Sequence, residues 1–309
     1  INIINSTINS ARNEAIYNLG TGIVNIEDTI IESTNNIAIY NDVYNNTTGI
    51  VNVKNSTIKA KRYGIQNRNT GSINITGTTS VTSIENHGIY NDSTGTINIG
   101  EKDGNVSTET PIITGKTYGI YNEGNIELLY SSLNVSNAFN NAYGIYNTST
   151  GTIESQQNNI TVNHTTSSAN NAYGIYSEGN VKISSNVLTV NDEYTPYGIY
   201  NKNAGNINIQ GVNITIGRIN KRLKYNAYGI YNESTINMTE GDIQVNAEKG
   251  IAYGIYNTEK AVSTIGIKDS SVNETIPNID SANYGIYNLG ELNYYDGTIN
   301  GKIAIYGSI

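Results

Sequence analysis

The sequence predicts an all-β protein folded as a single-stranded parallel β-helix (β-solenoid) with three strands per coil. Three observations support this: a recurring pentamer, three short alternating segments in each repeat, and a composition rich in β-forming residues. Ile, Val and 25 Tyr supply most of the apolar content, while the chain has no Cys, no Trp and one Met. β-Branched and aromatic side chains suit a pleated sheet, and the good helix formers Ala and Leu are scarce.

The pentamer Tyr-Gly-Ile-Tyr-Asn, or a close variant, occurs twelve times along the 309 residues. The eleven intervals between its central isoleucines range from 19 to 31 residues and average about 26. A period of this length is typical of solenoids and stacked arrays. These marker isoleucines are Ile16, Ile39, Ile65, Ile89, Ile120, Ile145, Ile175, Ile199, Ile230, Ile255, Ile286 and Ile305.

Two further segments with period-2 alternation follow the pentamer in each repeat. The first resembles GIVNI at 22–26 or GTINI at 95–99, and the second resembles LNV at 133–135. Gly, Asn, Ser and Thr turns separate them, which predicts three short strands per repeat. We therefore expect about 11 coils stacked about 4.8 Å apart. Because crossovers between parallel strands are usually right-handed, we expect a right-handed helix. The repeats run through residues 1–309 as one continuous domain, expected to be a fragment of a longer protein.

The residue two positions after each marker is Asn in ten repeats, with Ser177 and Gly307 as exceptions. Alternation directs this position inward together with the marker. A buried column of amides is costly unless the amides bond one another and the turn backbone. The sequence therefore predicts an asparagine ladder. Its members include Asn91, Asn122, Asn147, Asn201, Asn232, Asn257 and Asn288.

The residue directly after the marker is Tyr in eleven repeats and Gln66 in the other. Alternation predicts that this column faces outward, that the Gly or Ala before the marker shares its face, and that a second Tyr column two before the marker faces inward. One interpretation is a platform for sugar rings or a partner protein; another is that the rings only stabilise neighbouring coils. The reverse orientation, with the first column buried, is an alternative. Candidate binding residues are Tyr121, Tyr146, Tyr176, Tyr200, Tyr231 and Tyr256.

The loop before the pentamer varies in length, and it is long at 163–172, 217–227 and 273–283. Variable loops on a regular scaffold often carry binding residues, although they are also where insertions are tolerated. The loop at 217–227 contains the basic cluster of a chain whose net charge is −8. The cluster is a second candidate binding site and consists of Arg218, Lys221, Arg222 and Lys224.

Catalytic chemistry has little support in the sequence. Glu123, Glu178 and Glu233 occupy similar turn positions in alternate coils, so about 10 Å separates them, too far for a carboxylate pair. His87 replaces a Tyr of the second column, and His164 has no acidic neighbour in sequence. We expect no cofactor or metal. The acidic balance disfavours nucleic acid, and no apolar run is long enough to insert into a membrane.

Tandem GIYN and GTINI segments, Asn/Thr/Gly-rich turns and the absence of Cys resemble the repeat regions of bacterial adhesin-like surface proteins, including autotransporter passenger domains. The resemblance covers the whole chain but is one of repeat style. It implies an extracellular, non-enzymatic rod at the bacterial cell surface that binds a host or bacterial surface protein or glycan. The alternative is a carbohydrate-active β-helix, either a polysaccharide lyase or hydrolase or a tailspike-like depolymerase.

Overall fold

A computed structural model describes residues 1–43, 49–92, 94–101, 110–137, 140–164, 170–217, 225–247, 250–268 and 275–307. These residues form thirty-six strands and no helix. The strands belong to three parallel sheets of twelve strands each. The chain divides into two compact units, one made of Ile1–Val135 and Ile145–Asn158, the other of Ser136–Gly144 and Asn159–Ile309.

Successive strands along the chain belong to the first, second and third sheet in turn, and this order repeats in every coil. The first sheet contains β1 (Asn2–Ile4), β4 (Ile23–Glu27), β7 (Ile50–Lys54), β10 (Ser72–Thr76), β13 (Thr96–Ile99), β16 (Asn125–Leu129), β19 (Thr152–Gln156), β22 (Asn180–Ser184), β25 (Asn206–Gln210), β28 (Thr235–Met238), β31 (Val262–Ile265) and β34 (Glu291–Tyr294).

The second sheet contains β2 (Thr7–Ser10), β5 (Ile30–Ser33), β8 (Thr57–Ala60), β11 (Ser80–Ser83), β14 (Ile112–Gly115), β17 (Ser132–Asn137), β20 (Asn159–His164), β23 (Val187–Asp192), β26 (Val212–Gly217), β29 (Gly241–Val245), β32 (Pro277–Ser281) and β35 (Thr298–Asn300). The third sheet contains β3 (Ile16–Leu19), β6 (Ile39–Val43), β9 (Tyr63–Asn69), β12 (His87–Asn91), β15 (Tyr118–Asn122), β18 (Ala142–Asn147), β21 (Ala172–Ser177), β24 (Pro196–Asn201), β27 (Ala227–Asn232), β30 (Ala252–Asn257), β33 (Tyr284–Asn288) and β36 (Ile303–Gly307).

The predicted fold class is confirmed: the chain is an all-β parallel solenoid of the right-handed type with three strands per coil. Each strand pairs with the strand three places along the chain, as β10 does with β7 and with β13. The described strands make twelve layers, one more than the expected eleven or so. That residues 1–309 form one continuous domain stays a prediction.

The core consists of inward columns of Ile, Val and Leu. Every marker isoleucine from Ile39 to Ile286 is completely buried, and Ile16 is 8% exposed. The turn from the first sheet to the second commonly uses one residue with positive φ, for instance Asn55 at 49° and Gly77 at 62°. Asn, Asp and Gly tolerate this left-handed backbone better than other residues, which explains their recurrence there.

The asparagine ladder is confirmed. In the first unit, Nδ2 of Asn91 donates to Oδ1 of Asn122 at 2.9 Å, and Asn122 donates likewise to Asn147 at 2.8 Å. The same Nδ2 atoms donate to turn carbonyls, as Asn147 does to Gly151 at 3.0 Å. In the second unit the corresponding bonds join Asn201 to Asn232, Asn232 to Asn257 and Asn257 to Asn288, at 2.9, 3.2 and 3.0 Å.

Two predictions about the pentamer are wrong because its strand does not alternate regularly. A Cβ built on Gly64 would lie 2.4 Å from Cγ1 of Val81 in the core and 2.6 Å from the carbonyl oxygen of Gly88. The glycine column therefore faces inward against the next coil's backbone, where a larger side chain would clash. The register of this strand pair matches His87 with Tyr63 and Ile89 with Ile65, and it gives no partner for Gly88 between them. Gly and Ile thus face inward consecutively.

Because of this irregularity, the second Tyr column lies on the outer face with the first. Tyr173 and Tyr176 are three residues apart in one strand, yet their ring centroids are 5.5 Å apart. The same contact recurs at Tyr228 and Tyr231, at 5.2 Å. The prediction that the second column turns inward is therefore corrected.

Candidate functional site

The tyrosine surface is the outer face of the third sheet, where the two Tyr columns lie side by side. Most first-column tyrosines are half-buried, although Tyr176 is only 8% exposed and Tyr17 is 50% exposed. In the first unit this column includes Tyr121 and Tyr146, whose ring centroids are 5.0 Å apart. In the second unit it runs through Tyr176, Tyr200, Tyr231, Tyr256, Tyr287 and Tyr306.

Most rings of each column stack on one another, although Tyr90 and Tyr121 are inclined by 69°, and most contacts between the two columns are edge-to-face. Tyr231 and Tyr256 are 5.1 Å apart with planes inclined by 5°, whereas Tyr228 and Tyr231 are inclined by 88°. Edge-to-face contact of this kind favours packing beyond the buried area alone. Because each ring face is covered by the next ring, ligands reach mainly ring edges and hydroxyl groups. Stacking of sugar rings on free aromatic faces, as the platform interpretation needs, has little room inside the columns.

The hydroxyl groups on this surface are held protonated. Burial is the main cause that raises the pKa of Tyr231, to about 12, with the Glu233 carboxylate as a further cause. Burial also raises the pKa of Tyr121, Tyr176 and Tyr200, and a neighbouring glutamate adds to each effect. At neutral pH these tyrosines are therefore hydrogen-bond donors.

The turn after each strand of the third sheet places charged side chains beside the tyrosine hydroxyls. Tyr200 Oη donates to Glu233 Oε1 at 2.6 Å, and Tyr176 Oη donates to Glu178 Oε1 at 3.1 Å. Lys202 lies 3.4 Å from Glu178 Oε1 and 5.7 Å from the centre of the Tyr176 ring. In the second unit a lysine thus comes between the two glutamates of alternate coils.

A similar alternation of charge occurs at the corresponding turns of the first unit. Arg68 Nε lies 3.5 Å from Asp92 Oδ2, and its terminal nitrogen donates to Tyr40 Oη at 3.3 Å. Asp42 is nearly completely buried and accepts from Asn69 Nδ2 at 3.2 Å. Asp42 and Asp92 therefore occupy equivalent turns two coils apart, with Arg68 between them. They are structural partners here rather than a facing pair.

The basic cluster predicted from the sequence, Arg218, Lys221, Arg222 and Lys224, lies outside the described residues. Only parts of the three long loops are described, among them Gly217 and Tyr225 on either side of the cluster. The Tyr225 ring lies 4.7 Å from that of Tyr194. Binding by these loops stays a prediction.

His87 takes the place of a tyrosine in the second column, as predicted. Its ring stacks on Tyr118 at 4.5 Å and meets Tyr63 edge-on at 4.7 Å. Burial is the main cause that lowers the pKa of His87 to about 3, and the charge of Arg62 contributes. Its Nδ1 atom is buried and has no hydrogen-bond partner in the part of the chain that the structure describes. His87 is therefore a neutral member of the aromatic column.

The structure brings together one pair that the sequence did not reveal. His164 Nδ1 lies 2.8 Å from Asp192 Oδ1, and both side chains are completely buried. Asp192 also accepts the backbone N–H groups of Ala172 and Tyr194, at 2.9 and 3.1 Å. His164 and Asp192 are register partners in adjacent coils, 28 residues apart. In the sequence, only an alignment of successive coils by length could have placed His164 beside Asp192. The backbone contacts of Asp192 hold the turn between the second and third sheets.

The described residues contain no group of three or more His, Asp or Glu side chains positioned to hold a metal ion. None of them forms a helix long and apolar enough to cross a membrane.

Comparisons with known proteins add little. No family model matches the chain, and no curated protein matches it either. Among solved structures, the tailspike protein gp49 from Pseudomonas phage LKA1 is 9% identical, with a TM-score of 0.31. The match covers 98% of this chain and 48% of the tailspike, so this chain spans about half the length of that protein. A likeness this weak carries no argument about function.

Proposed function

We propose that this protein is a non-enzymatic, extracellular binding protein of the bacterial surface, in the manner of an adhesin. Its ligand is a surface protein or glycan of a host or neighbouring cell. The observation that supports this most is the tyrosine surface, which presents a repeated row of protonated hydroxyl groups on a regular scaffold. Tyrosine is favoured at recognition surfaces because it combines a large apolar body with a polar end.

The carboxylates beside this surface favour binding over turnover. A glycoside-cleaving site needs two carboxyl groups facing each other across the scissile bond, one as acid and one as base or nucleophile. Glu178 accepts a hydrogen bond from Tyr176 and forms an ion pair with Lys202, and Glu233 accepts a hydrogen bond from Tyr200. These glutamates hold the hydroxyl groups of Tyr176 and Tyr200 in place, and the Oη lone pairs remain to accept hydrogen bonds from a ligand.

The test is a binding and turnover screen of the purified protein against arrays of host and bacterial glycans and surface proteins. Polysaccharide samples are also assayed for reducing ends and unsaturated products. We expect binding without cleavage. Turnover that disappears on replacing one acidic residue would instead establish the carbohydrate-active alternative.

A pair of matched variants locates the contact. Tyr200→Phe with Tyr231→Phe removes two hydroxyls but keeps both rings, so the stack and the fold are retained. Lys59→Ala, on the outer face of the second sheet, is the control, since among the described residues Lys59 forms its ion pair with Glu32, at 3.3 Å, and lies away from the third sheet. We expect weaker binding for the first variant alone. Unchanged binding in both would exclude the tyrosine hydroxyls as contacts, and loss in both would indicate a nonspecific effect.

A further inference from the structure

A second asparagine ladder lies on the outer face of the first sheet, in the first unit. Asn25 Nδ2 donates to Asn2 Oδ1, Asn52 to Asn25, Asn74 to Asn52 and Asn98 to Asn74, at 2.8, 2.8, 2.7 and 2.8 Å. Asn2 and Asn25 are exposed, and the other three are half-buried. The sequence signal is the Asn shared by the segments GIVNI, GIVNV, GSINI and GTINI, between two inward apolar residues.

This outer ladder leaves a regular set of hydrogen-bonding groups facing solvent. A primary amide has two N–H donors and an oxygen with two lone pairs. The ladder uses one donor and one lone pair of each interior amide. One donor and one acceptor per coil remain, repeated at the coil spacing of about 4.8 Å. Because each amide is fixed by its neighbours, these groups are oriented before any ligand arrives, which lowers the entropic cost of binding.

A groove follows the ladder across four coils. One wall is formed by Asn2, Asn25, Asn52 and Asn74, and the other by Ile4, Glu27, Lys54 and Thr76, with Ile26 and Val53 between them. Lys54 Nζ lies 3.0 Å from Glu27 Oε1. A hydrogen bond to Glu27 is the main cause that raises the pKa of Lys54, so Lys54 stays positively charged at neutral pH beside its carboxylate partner. The groove therefore carries paired charges and neutral amides.

We propose that this groove binds a linear, uncharged glycan chain lying parallel to the stacking direction of the coils. The ligand must offer hydroxyl donors and acceptors at each step of about one coil spacing, and a pyranose unit is comparable in length to that spacing. The paired charges favour a neutral chain, because a polyanion would meet Glu27 and a polycation would meet Lys54. The exposed Ile4 side chain, 52% accessible, offers an apolar contact at one end.

This inference rests on the proposed binding function and names a ligand class and a site for it. The second unit provides a matched control on the equivalent outer column. There Lys182, Asn208, Asn237 and Thr264 are register partners in successive coils. Of these, Asn237 Nδ2 donates one hydrogen bond to Asn208 Oδ1, at 3.1 Å, and Lys182 and Thr264 lie on either side of the pair. The interrupted column lacks the row of repeated amides that the proposal requires.

The experiment uses the full chain and neutral linear oligosaccharides, namely 1,4- and 1,3-linked glucans, mannans and galactans, with polygalacturonate and chitosan oligomers as charged probes. Affinity is measured by calorimetry, and the Asn side-chain amide signals are followed by ¹⁵N-correlated NMR. We compare Asn52→Ala/Asn74→Ala with Asn208→Ala/Asn237→Ala. Both double variants remove amides from the outer face and leave the core side chains unchanged, and circular dichroism confirms that each is folded.

We expect at least one neutral probe to bind, shifting the amide signals of Asn52 and Asn74. The first double variant should lose tenfold or more in affinity and the second should bind as wild type. Equal affinity in wild type and the first variant, equal loss in both variants, or preference for a charged probe would overturn the inference. If no oligosaccharide binds but the wider screen finds a ligand sensitive to the tyrosine variants, this inference fails and the proposed function stands. If neither screen finds a ligand, both fail.

Discussion

Restoring the missing member of the inner asparagine ladder should stabilise the protein. Ser177 occupies the position that Asn fills in the neighbouring coils of the second unit. Its Oγ donates to the carbonyl of Gly179 at 3.0 Å and accepts the Gly179 N–H at 3.2 Å. In the next coil, Oδ1 of Asn201 is buried and has no hydrogen-bond partner among the described residues. Ser177→Asn would supply an Nδ2 donor directed at that oxygen, as Asn201 itself supplies one to Asn232.

The turn at this position already accommodates Asn elsewhere in the chain. The segment Asn122–Asn125 reads NEGN and Ser177–Asn180 reads SEGN. Asn122 Nδ2 donates to the Gly124 carbonyl at 2.9 Å, and its Oδ1 accepts the Gly124 N–H at 3.2 Å. These are the two bonds that Ser177 makes with its own turn. The substitution therefore keeps the local bonds and adds one.

The magnitude follows from the buried oxygen. A buried acceptor left without a partner costs about 1–3 kcal/mol, and ordering the longer side chain takes back part of the gain. We expect Ser177→Asn to raise the free energy of unfolding by about 1 kcal/mol. Ser177→Ala, which removes both bonds to Gly179, should lower it by a similar amount.

Urea denaturation and native-state hydrogen exchange around residues 177–205 measure the effect. Exchange is informative because a solenoid is stabilised mainly between neighbouring coils, so the change should be local. The decisive control is the Asn201→Ala background, in which the added donor has no acceptor and the gain should vanish. A gain that persists there, or a Ser177→Asn protein no more stable than wild type, would refute the reasoning.

Three further predictions concern stability. The pKa of His87 is lowered to about 3 in the folded protein, whereas an unfolded histidine binds a proton below about pH 6.5. The free energy of unfolding should therefore fall as the pH is lowered from about 6.5 to about 3. Between pH 7 and pH 4 we expect wild type to lose about 3 kcal/mol of unfolding free energy that the His87→Tyr variant does not lose. Urea midpoints that change equally with pH in both proteins would contradict this. Asn147→Leu should cost about 1–3 kcal/mol and Asn98→Leu, in the outer ladder, under about 1 kcal/mol; equal melting temperatures would show the columns to be misassigned. Gly198→Ala should cost about 1–3 kcal/mol by overpacking, since the new Cβ would lie 2.5 Å from Cγ2 of Ile214; an unchanged urea midpoint would contradict the inward glycine column.

The sequence by itself determined the repeat, the three strands per coil and the inner ladder. Period-2 alternation and the recurrence of Ile and Asn at fixed positions are local properties, and parallel stacking copies each position onto its equivalent in the next coil. The inward Ile column that includes Ile39 and the Asn column that includes Asn91 could therefore be predicted directly from the spacing of the repeats. The same logic identified His87 as a substitute for a stacked tyrosine.

The tertiary structure decided what alternation alone could not. At positions such as Gly64 a Cβ would lie 2.4 Å from Cγ1 of Val81 in another sheet, so the glycine faces the core and the second tyrosine column lies on the outer face. The pairing of His164 with Asp192 and the unpartnered oxygen of Asn201 depend on which residues of successive coils lie above one another. Because the coils differ in length, that register is set by packing between coils rather than by any fixed spacing along the chain.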